Sequence, residues 1–212
     1  MDTGTRVGGG RRLVGRTART WADSLGPTDP IIEGPIVRLS VTLDLPTDAR
    51  AAAQLLADPE YVHQKVRASG ALEQHVDVTG DPDDAFTVTT RRALPTDQIQ
   101  AHLRSLVGSR IDVRQVEAWE APHPDGSRVG TVVVEIAGAP VRLSGRTALT
   151  PRGPGSTTVT YDGELRATVP LFASAIEQAT AGAIRSALEV EQGVAREWID
   201  GHADGHSPGP QP

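Results

Sequence analysis

The last third of the chain constrains the fold most. From Val169 to Ile199 the residues read as a single amphipathic helix. Projected at about 100° per residue, Phe172, Ile176, Ala179, Ala183, Ala187, Val190, Val194 and Trp198 share one arc, with Gln178, Arg185, Gln192 and Arg196 opposite. Pro170 fits the first turn and Gly201 fits a C-terminal stop. About 30 residues rising ~1.5 Å each make a rod of roughly 45 Å. Such a rod needs a broad apolar partner, yet the middle of its stripe is small: Ala179, Ala183, Ala187. Either the backbone packs tightly there or room is left for something else.

The partner precedes it. Ile36 to Leu45 alternates, with Val37, Leu39, Val41 and Leu43 on one face and Arg38, Ser40, Thr42 and Asp44 on the other, as a half-buried strand does. Thr47 is the expected cap of a short helix carrying Ala51, Ala52, Leu55 and Leu56; Asp58-Pro59 breaks it, and a second helix runs to Gly70. From there the period is two, predicting strands Ala71–Val78, Ala85–Leu94, Ile111–Glu120, Val129–Ile136, Val141–Thr150 and Thr157–Thr168. Turn-forming runs separate several of them: Gly80 to Asp84, His123 to Gly126 and Pro151 to Gly155. Thr96 to Val107 reads as a short inserted helix. An antiparallel sheet with hairpin connections, curved around one long helix, satisfies this order. Residues 1–34 and 202–212 lack periodicity and are expected to be disordered, leaving one domain over 35–201.

Composition narrows the function. Zero cysteines exclude disulfides, thiolate catalysis and cysteine metal sites, and a net charge of −6 speaks against nucleic acid as the main partner. Aromatic residues are only 3%, so the core is aliphatic. No apolar run approaches the ~18 residues of a membrane span, and Arg11-Arg12 is followed by no apolar export segment, so a cytoplasmic protein is expected.

The candidate catalytic and metal motifs are weak. Lys65, the sole lysine, follows no glycine-rich loop, and Gly8-Gly9-Gly10 follows no strand, so neither marks a nucleotide site. His202 and His206 stand four apart beside Gly201, Gly205 and Pro208, which suits a solvated tail better than a metal ligand pair. Asp81, Asp83 and Asp84 lack the spacing of a calcium loop. His63, His75, His102 and His123 sit on separate elements with no recognisable nucleophile beside them, His75 toward solvent. No cofactor and no metal are expected.

What remains is the inner face of the sheet. Val88, Val113, Val132, Val134, Gly145 and Leu165 keep its register, with the polar Gln74, Thr90, Gln115, Thr147 and Tyr161 among them. Ile176, Ala179, Thr180, Ala183 and Ala187 face them from the helix, with Glu191 near its stripe. Apolar walls with a few polar groups suit a small-molecule pocket; the same polar groups also suit bonds to backbone at an open sheet end.

The stretches Leu56-Ala57-Asp58-Pro59-Glu60-Tyr61, Arg91-Arg92-Ala93-Leu94-Pro95 and Val116-Glu117-Ala118-Trp119 carry a resemblance. So do Val169-Pro170-Leu171 and Glu191 through Glu197-Trp198-Ile199. The chain resembles, over about 35–201, the START and polyketide-cyclase (SRPBCC) superfamily, and within it a bacterial family of unknown function. That resemblance implies an α+β helix-grip fold and a cavity for a hydrophobic or amphipathic ligand, lipid- or polyketide-like, between sheet and helix. It carries no catalytic signature. Two rivals stand beside ligand binding: a cyclase- or aromatase-like enzyme using Tyr161, Thr147 or Glu191, and an interaction module with a filled core. Oligomeric state has no sequence signal.

Because residues 1–34 and 202–212 lack an apolar period, deleting both is expected to leave the melting temperature nearly unchanged. A fall of many degrees would show that the arm packs on the domain.

Overall fold

The computed structural model describes residues 37–96, 110–137, 141–167 and 173–203. All of them lie within one unit, Glu33–Pro212. Strand β1 (Val37–Leu45) leads into α1 (Ala49–Ala57) and α2 (Pro59–Ala68). Six strands follow: β2 (Glu73–Gly80), β3 (Phe86–Pro95), β4 (Arg110–Trp119), β5 (Arg128–Ala137), β6 (Val141–Gly153) and β7 (Ser156–Ala167). The chain then enters α3 (Ala173–Ala203). The seven strands form one antiparallel sheet in the order β1-β7-β6-β5-β4-β3-β2, a meander in which β1 pairs with the last strand. The helix-grip arrangement expected from the periodicities is therefore present. The expected helix Thr96–Val107 lies outside the described residues, apart from Thr96 itself.

Local chemistry sets the element ends. Asp48, rather than Thr47, caps α1, its Oδ1 accepting from Ala51 N at 2.9 Å. Asp58 closes α1 and caps α2, accepting from Glu60 N and Tyr61 N at 2.7 and 3.3 Å, with Pro59 in the first helical turn. The acidic run after β2 is a turn. Asp81 Oδ1 accepts from Asp83 N at 2.8 Å, and the Asp83 carboxylate takes both arms of Arg50 at 2.8 and 2.7 Å. Arg128, buried on β5, donates to the carbonyls of Asp84 and Pro82 and lies over the Phe86 ring. Gly201 does not stop α3. The His202 ring stacks on Trp198 at 4.3 Å and its Nδ1 bonds the Trp198 carbonyl at 2.8 Å, which holds another turn.

Cross-strand register places the inner face in rows. One runs Val78, Val88, Glu117, Val132, Gly145, Gly163, Leu39; the next runs Val76, Thr90, Gln115, Val134, Leu143, Leu165, Val37. Helix α3 lies against β1, β7 and α2, while α1 touches β3, β6 and β7. Between them sits the core: Leu39, Leu43, Leu56, Tyr61, Val62, Phe86, Trp119, Leu149, Val159, Leu165 and their neighbours.

The helix presents a different face from the one its apolar residues suggest. Buried on α3 are Glu177, Ala181, Leu188, Glu191, Val194 and Ala195, whereas Ala179, Ala183 and Val190 are exposed. The buried arc is turned by about 100°, one residue, from the apolar stripe. Polar anchors account for it. Glu177 accepts from Ala167 N at 2.8 Å, and the Gln192 amide bonds both Asp44 N and Asp44 O at 2.6 and 2.5 Å, pairing with the edge strand as another strand would. Among the described residues, no helix is long and apolar enough to cross a membrane, which says nothing of a β-barrel.

Two glycine classes give a test. A Cβ on Gly145 would stand 2.3 Å from Asp162 O and 2.7 Å from Gly163 Cα, so only glycine lets β6 and β7 coil this closely. A Cβ on Gly182, inside α3, would meet nothing within 4 Å. Gly145→Ala is expected to destabilise by roughly 1–3 kcal/mol and Gly182→Ala to stabilise by about 0.5–1 kcal/mol, read as urea midpoints. Equal responses would contradict the placement of the two glycines.

Candidate ligand site

Helix α2 carries Tyr61, Val62, Lys65 and Val66 on its buried face, the spacing of one helical stripe. That puts Lys65, 7% exposed, under α3. Its Nζ lies 2.8 Å from Glu191 Oε1 on α3 and 3.7 Å from Glu117 Oε1 on β4. Glu117, 3% exposed, also accepts from Gln115 Nε2 at 2.7 Å and from the Tyr161 hydroxyl at 3.2 Å. Gln115 in turn accepts from Arg92 on β3 at 3.2 Å, and Arg92 reaches the Thr90 hydroxyl at 3.5 Å. Tyr61 completes the group, its ring 5.8 Å from Lys65 Nζ and edge-on to Trp198 at 5.8 Å. Two cations and two carboxylates thus meet beneath the long helix, joined by neutral hydrogen-bonding groups.

Burial and mutual attraction set their protonation. For Lys65, burial alone lowers the pKa, but Glu191 and then Glu117 outweigh it, and the net direction is upward. Tyr61 and Tyr161 are raised well above the ordinary phenol value, chiefly by burial and further by the two carboxylates. Arg92 is lowered by burial, against the pull of Glu191 and Glu117. Its Nε is buried without a partner, as are Thr147 Oγ1 and Trp119 Nε1.

A cavity of about 30 Å³ adjoins this network. Lys65, Val66 and Ser69 border it from α2, Thr90 and Arg92 from β3, Gln115 from β4, and Ala187 and Glu191 from α3. That is room for one or two waters. Among the described residues, no three His, Asp or Glu side chains gather as a metal site.

Of the residues singled out in the sequence, Thr90, Gln115, Ala187 and Glu191 border this cavity, and Tyr161 stands behind it on Glu117. Val88, Val113, Val132, Val134 and Leu165 are buried on the inner face, Gly145 lies opposite Gly163, and Thr147 is buried one row away. Ile176 and Thr180 are half-buried on α3. Ala179 and Ala183 do not belong with them. They are exposed, because Glu177 and Glu191 take the sheet-facing side. Sequence reasoning missed Lys65, Arg92 and Glu117. The signal was available: Arg92 and Glu117 keep the inward register of Val88, Thr90 and Leu94, and of Val113, Gln115 and Trp119. Lys65 stands four residues after Tyr61 on a buried stripe.

A pH test follows from the raised groups. Lys65, Tyr61 and Tyr161 each hold their proton more tightly folded than unfolded, so the stability they contribute is full below about pH 10 and is lost as pH rises through the raised values. The slope is on the order of 1.4 kcal/mol per pH unit for each group. They are the only lysine and the only two tyrosines of the chain, so phenolate absorbance reports on this cluster alone. The urea midpoint is expected to stay flat to about pH 9.5 and then fall, with phenolate appearing only on unfolding. Ordinary phenol titration in the folded protein would contradict the burial.

The fold has known counterparts. A protein from Thermus thermophilus superimposes with a TM-score of 0.53 at 13% identity, over 81% of this chain and all (100%) of that one. The Zhui aromatase/cyclase of Streptomyces sp. R1128 gives 0.51 at 8% identity, covering 80% of this chain and 96% of its own. Human STARD10 gives 0.50 at 12% identity, covering 81% and 69%. Identities this low establish the fold alone, and that fold is the START-like helix grip. No curated protein sequence matches this one. With residues 40–199 matching it throughout, the chain belongs to the family described as protein of unknown function (DUF2505).

Proposed function

We propose that the chain binds an amphipathic small molecule, lipid- or polyketide-like, between its sheet and its long helix. The observation that supports this best is the cavity: a partly open space lined by polar and apolar groups, with the half-buried Ile136, Ile176 and Ile184 leading away from it. On the sheet, Arg92 is followed across the strands by Val113 and then Ile136. On α3, Ala187 is followed toward the N-terminus by Ile184, Thr180 and Ile176, and these three together with Ile136 are half-buried. The polar group of the ligand sits at Thr90, Arg92 and Gln115, and its apolar body lies along this channel. Val88, Val132, Val134 and Leu165 form the floor beyond. Small-molecule sites run to ~300–1,000 Å³, and Arg92, Val113 and Ile136 border a further open space of about 640 Å³ that can take the body.

Binding is favoured over acid–base chemistry. Tyr161 and Thr147 do not border the cavity, and Glu191, which does, is committed to Lys65. The enzyme reading therefore lacks a free acid or base where a reacting atom would sit.

Ala187 and Ala183 provide the test, because they lie one turn apart on α3 with only the former at the cavity. Wild type is expected to bind decanol saturably by calorimetry. Ala187→Trp is expected to weaken binding at least tenfold, about 1.4 kcal/mol, while Ala183→Trp leaves it unchanged. Should wild type bind no straight-chain amphiphile of any headgroup, the ligand reading falls and a filled-core interaction module takes its place.

A further inference from the structure

The cavity's own hydrogen-bonding inventory says more about its ligand, granted the binding reading above. We infer that the polar group received beside Arg92 is an uncharged hydrogen-bond acceptor, the carbonyl oxygen of an ester, amide or ketone. Two observations carry this, one of hydrogen bonds and one of charge.

The first is that the wall is rich in unspent donors. Arg92 Nε–H is buried with no partner. The Thr90 hydroxyl accepts from Arg92 and retains its own proton to give. Gln115 uses one N–H on Glu117 and its oxygen on Arg92, which leaves its second N–H. Lys65 has three N–H groups, of which Glu191 takes one at 2.8 Å and Glu117 draws another from 3.7 Å. Among the residues bordering the cavity the carboxylate acceptors are already engaged, Glu191 by Lys65, and behind it Glu117 by Gln115 and Tyr161; Gln74 Oε1, opposite Arg92 on β2, is buried without a partner but does not border the cavity. A ligand that brings a donor finds little to bond, whereas one that brings an acceptor finds a cluster of N–H and O–H groups.

The second observation decides between a neutral acceptor and an anion. Lys65 and Arg92 together balance Glu117 and Glu191, so the cluster sums to zero before anything binds. A carboxylate would add an unbalanced charge beside Glu191 in a space that holds one or two waters. An ammonium would meet the same objection beside Lys65 and Arg92. A carbonyl oxygen adds no charge and satisfies Arg92 Nε–H, which is buried and unpaired.

Ligands of one chain length separate the alternatives: methyl decanoate and decanamide as neutral acceptors, decanoate as the anion, decylammonium as the cation. At pH 8 both neutral ligands are expected to bind at least tenfold more tightly than either charged one. Charge balance predicts a reversal on substitution. Glu191→Gln leaves the cluster with one excess positive charge, and decanoate is expected to gain at least tenfold relative to methyl decanoate. Glu117→Gln makes the same change from behind the wall and serves if the first variant folds poorly. Decanoate binding as tightly as methyl decanoate in wild type would overturn the inference while leaving the binding site in place. A shift of the Arg92 Nε–H resonance with acetamide but not with sodium acetate reads the same preference without any apolar chain. Such a shift with no binding of the decyl ligands would keep this inference and sink the amphipathic reading. Acetate moving that resonance more than acetamide would overturn it by itself.

Discussion

The structure depends on one buried lysine held between two glutamates. Taking Lys65, Glu117 and Glu191 out of water is expensive, and their attraction is supported by the further bonds that Glu117 accepts from Gln115 and Tyr161. Removing one member from such a set costs about 3–5 kcal/mol, although replacing the whole set with packed apolar residues is often neutral. Stability therefore does not explain the cluster. Its consequence is positional: Glu191 has one place where it finds an ammonium, and that place sets which face of α3 turns down and how far along the sheet the helix lies.

The sheet answers with its own constraint. For a helix to lie inside it, the sheet must coil tightly, and β6 and β7 come close at Gly145, opposite Gly163, in the row that also contains Glu117. A side chain at Gly145 would push β6 and β7 apart and widen the interior across from the cluster. Glycine in mid-strand is unfavourable by itself, so the pair marks where backbone curvature matters more than local propensity. The curvature brings Tyr161, two residues before Gly163, within reach of Glu117 across three intervening strand pairings.

Much of this was legible in the residues. Period two from Glu73 onward and a long 3.6-residue period after Ala173 suffice for the helix grip, because few other layers bury six hairpin-linked strands and one rod. The inward register of Thr90, Gln115, Thr147 and Tyr161 was legible too, since alternation leaves a strand residue only two directions. The rotation of α3 was not. The middle of its apolar stripe is alanine, whose burial contributes little, so that stripe is a weak guide beside Glu177 and Glu191 with fixed partners. Those partners, Ala167 N and Lys65, are close only after the chain has folded, and no local pattern announces them.

The same asymmetry explains how a long helix can cover a small cavity without sealing it. Along α3 the firm attachments lie at Glu177, at Glu191 with Gln192, and at Trp198 against Tyr61. Between the first two of these the helix meets the sheet through Thr180, Ala181, Ile184, Ala187 and Leu188, of which only Ala181 and Leu188 are fully buried. A rod pinned at separated points by polar bonds, with small or half-buried side chains between the pins, keeps its register when the middle lifts. An apolar stripe of leucines would have fixed the middle as firmly as the ends. The sequence places small and half-buried residues where the interior would have to open, and charged ones where the helix has to stay.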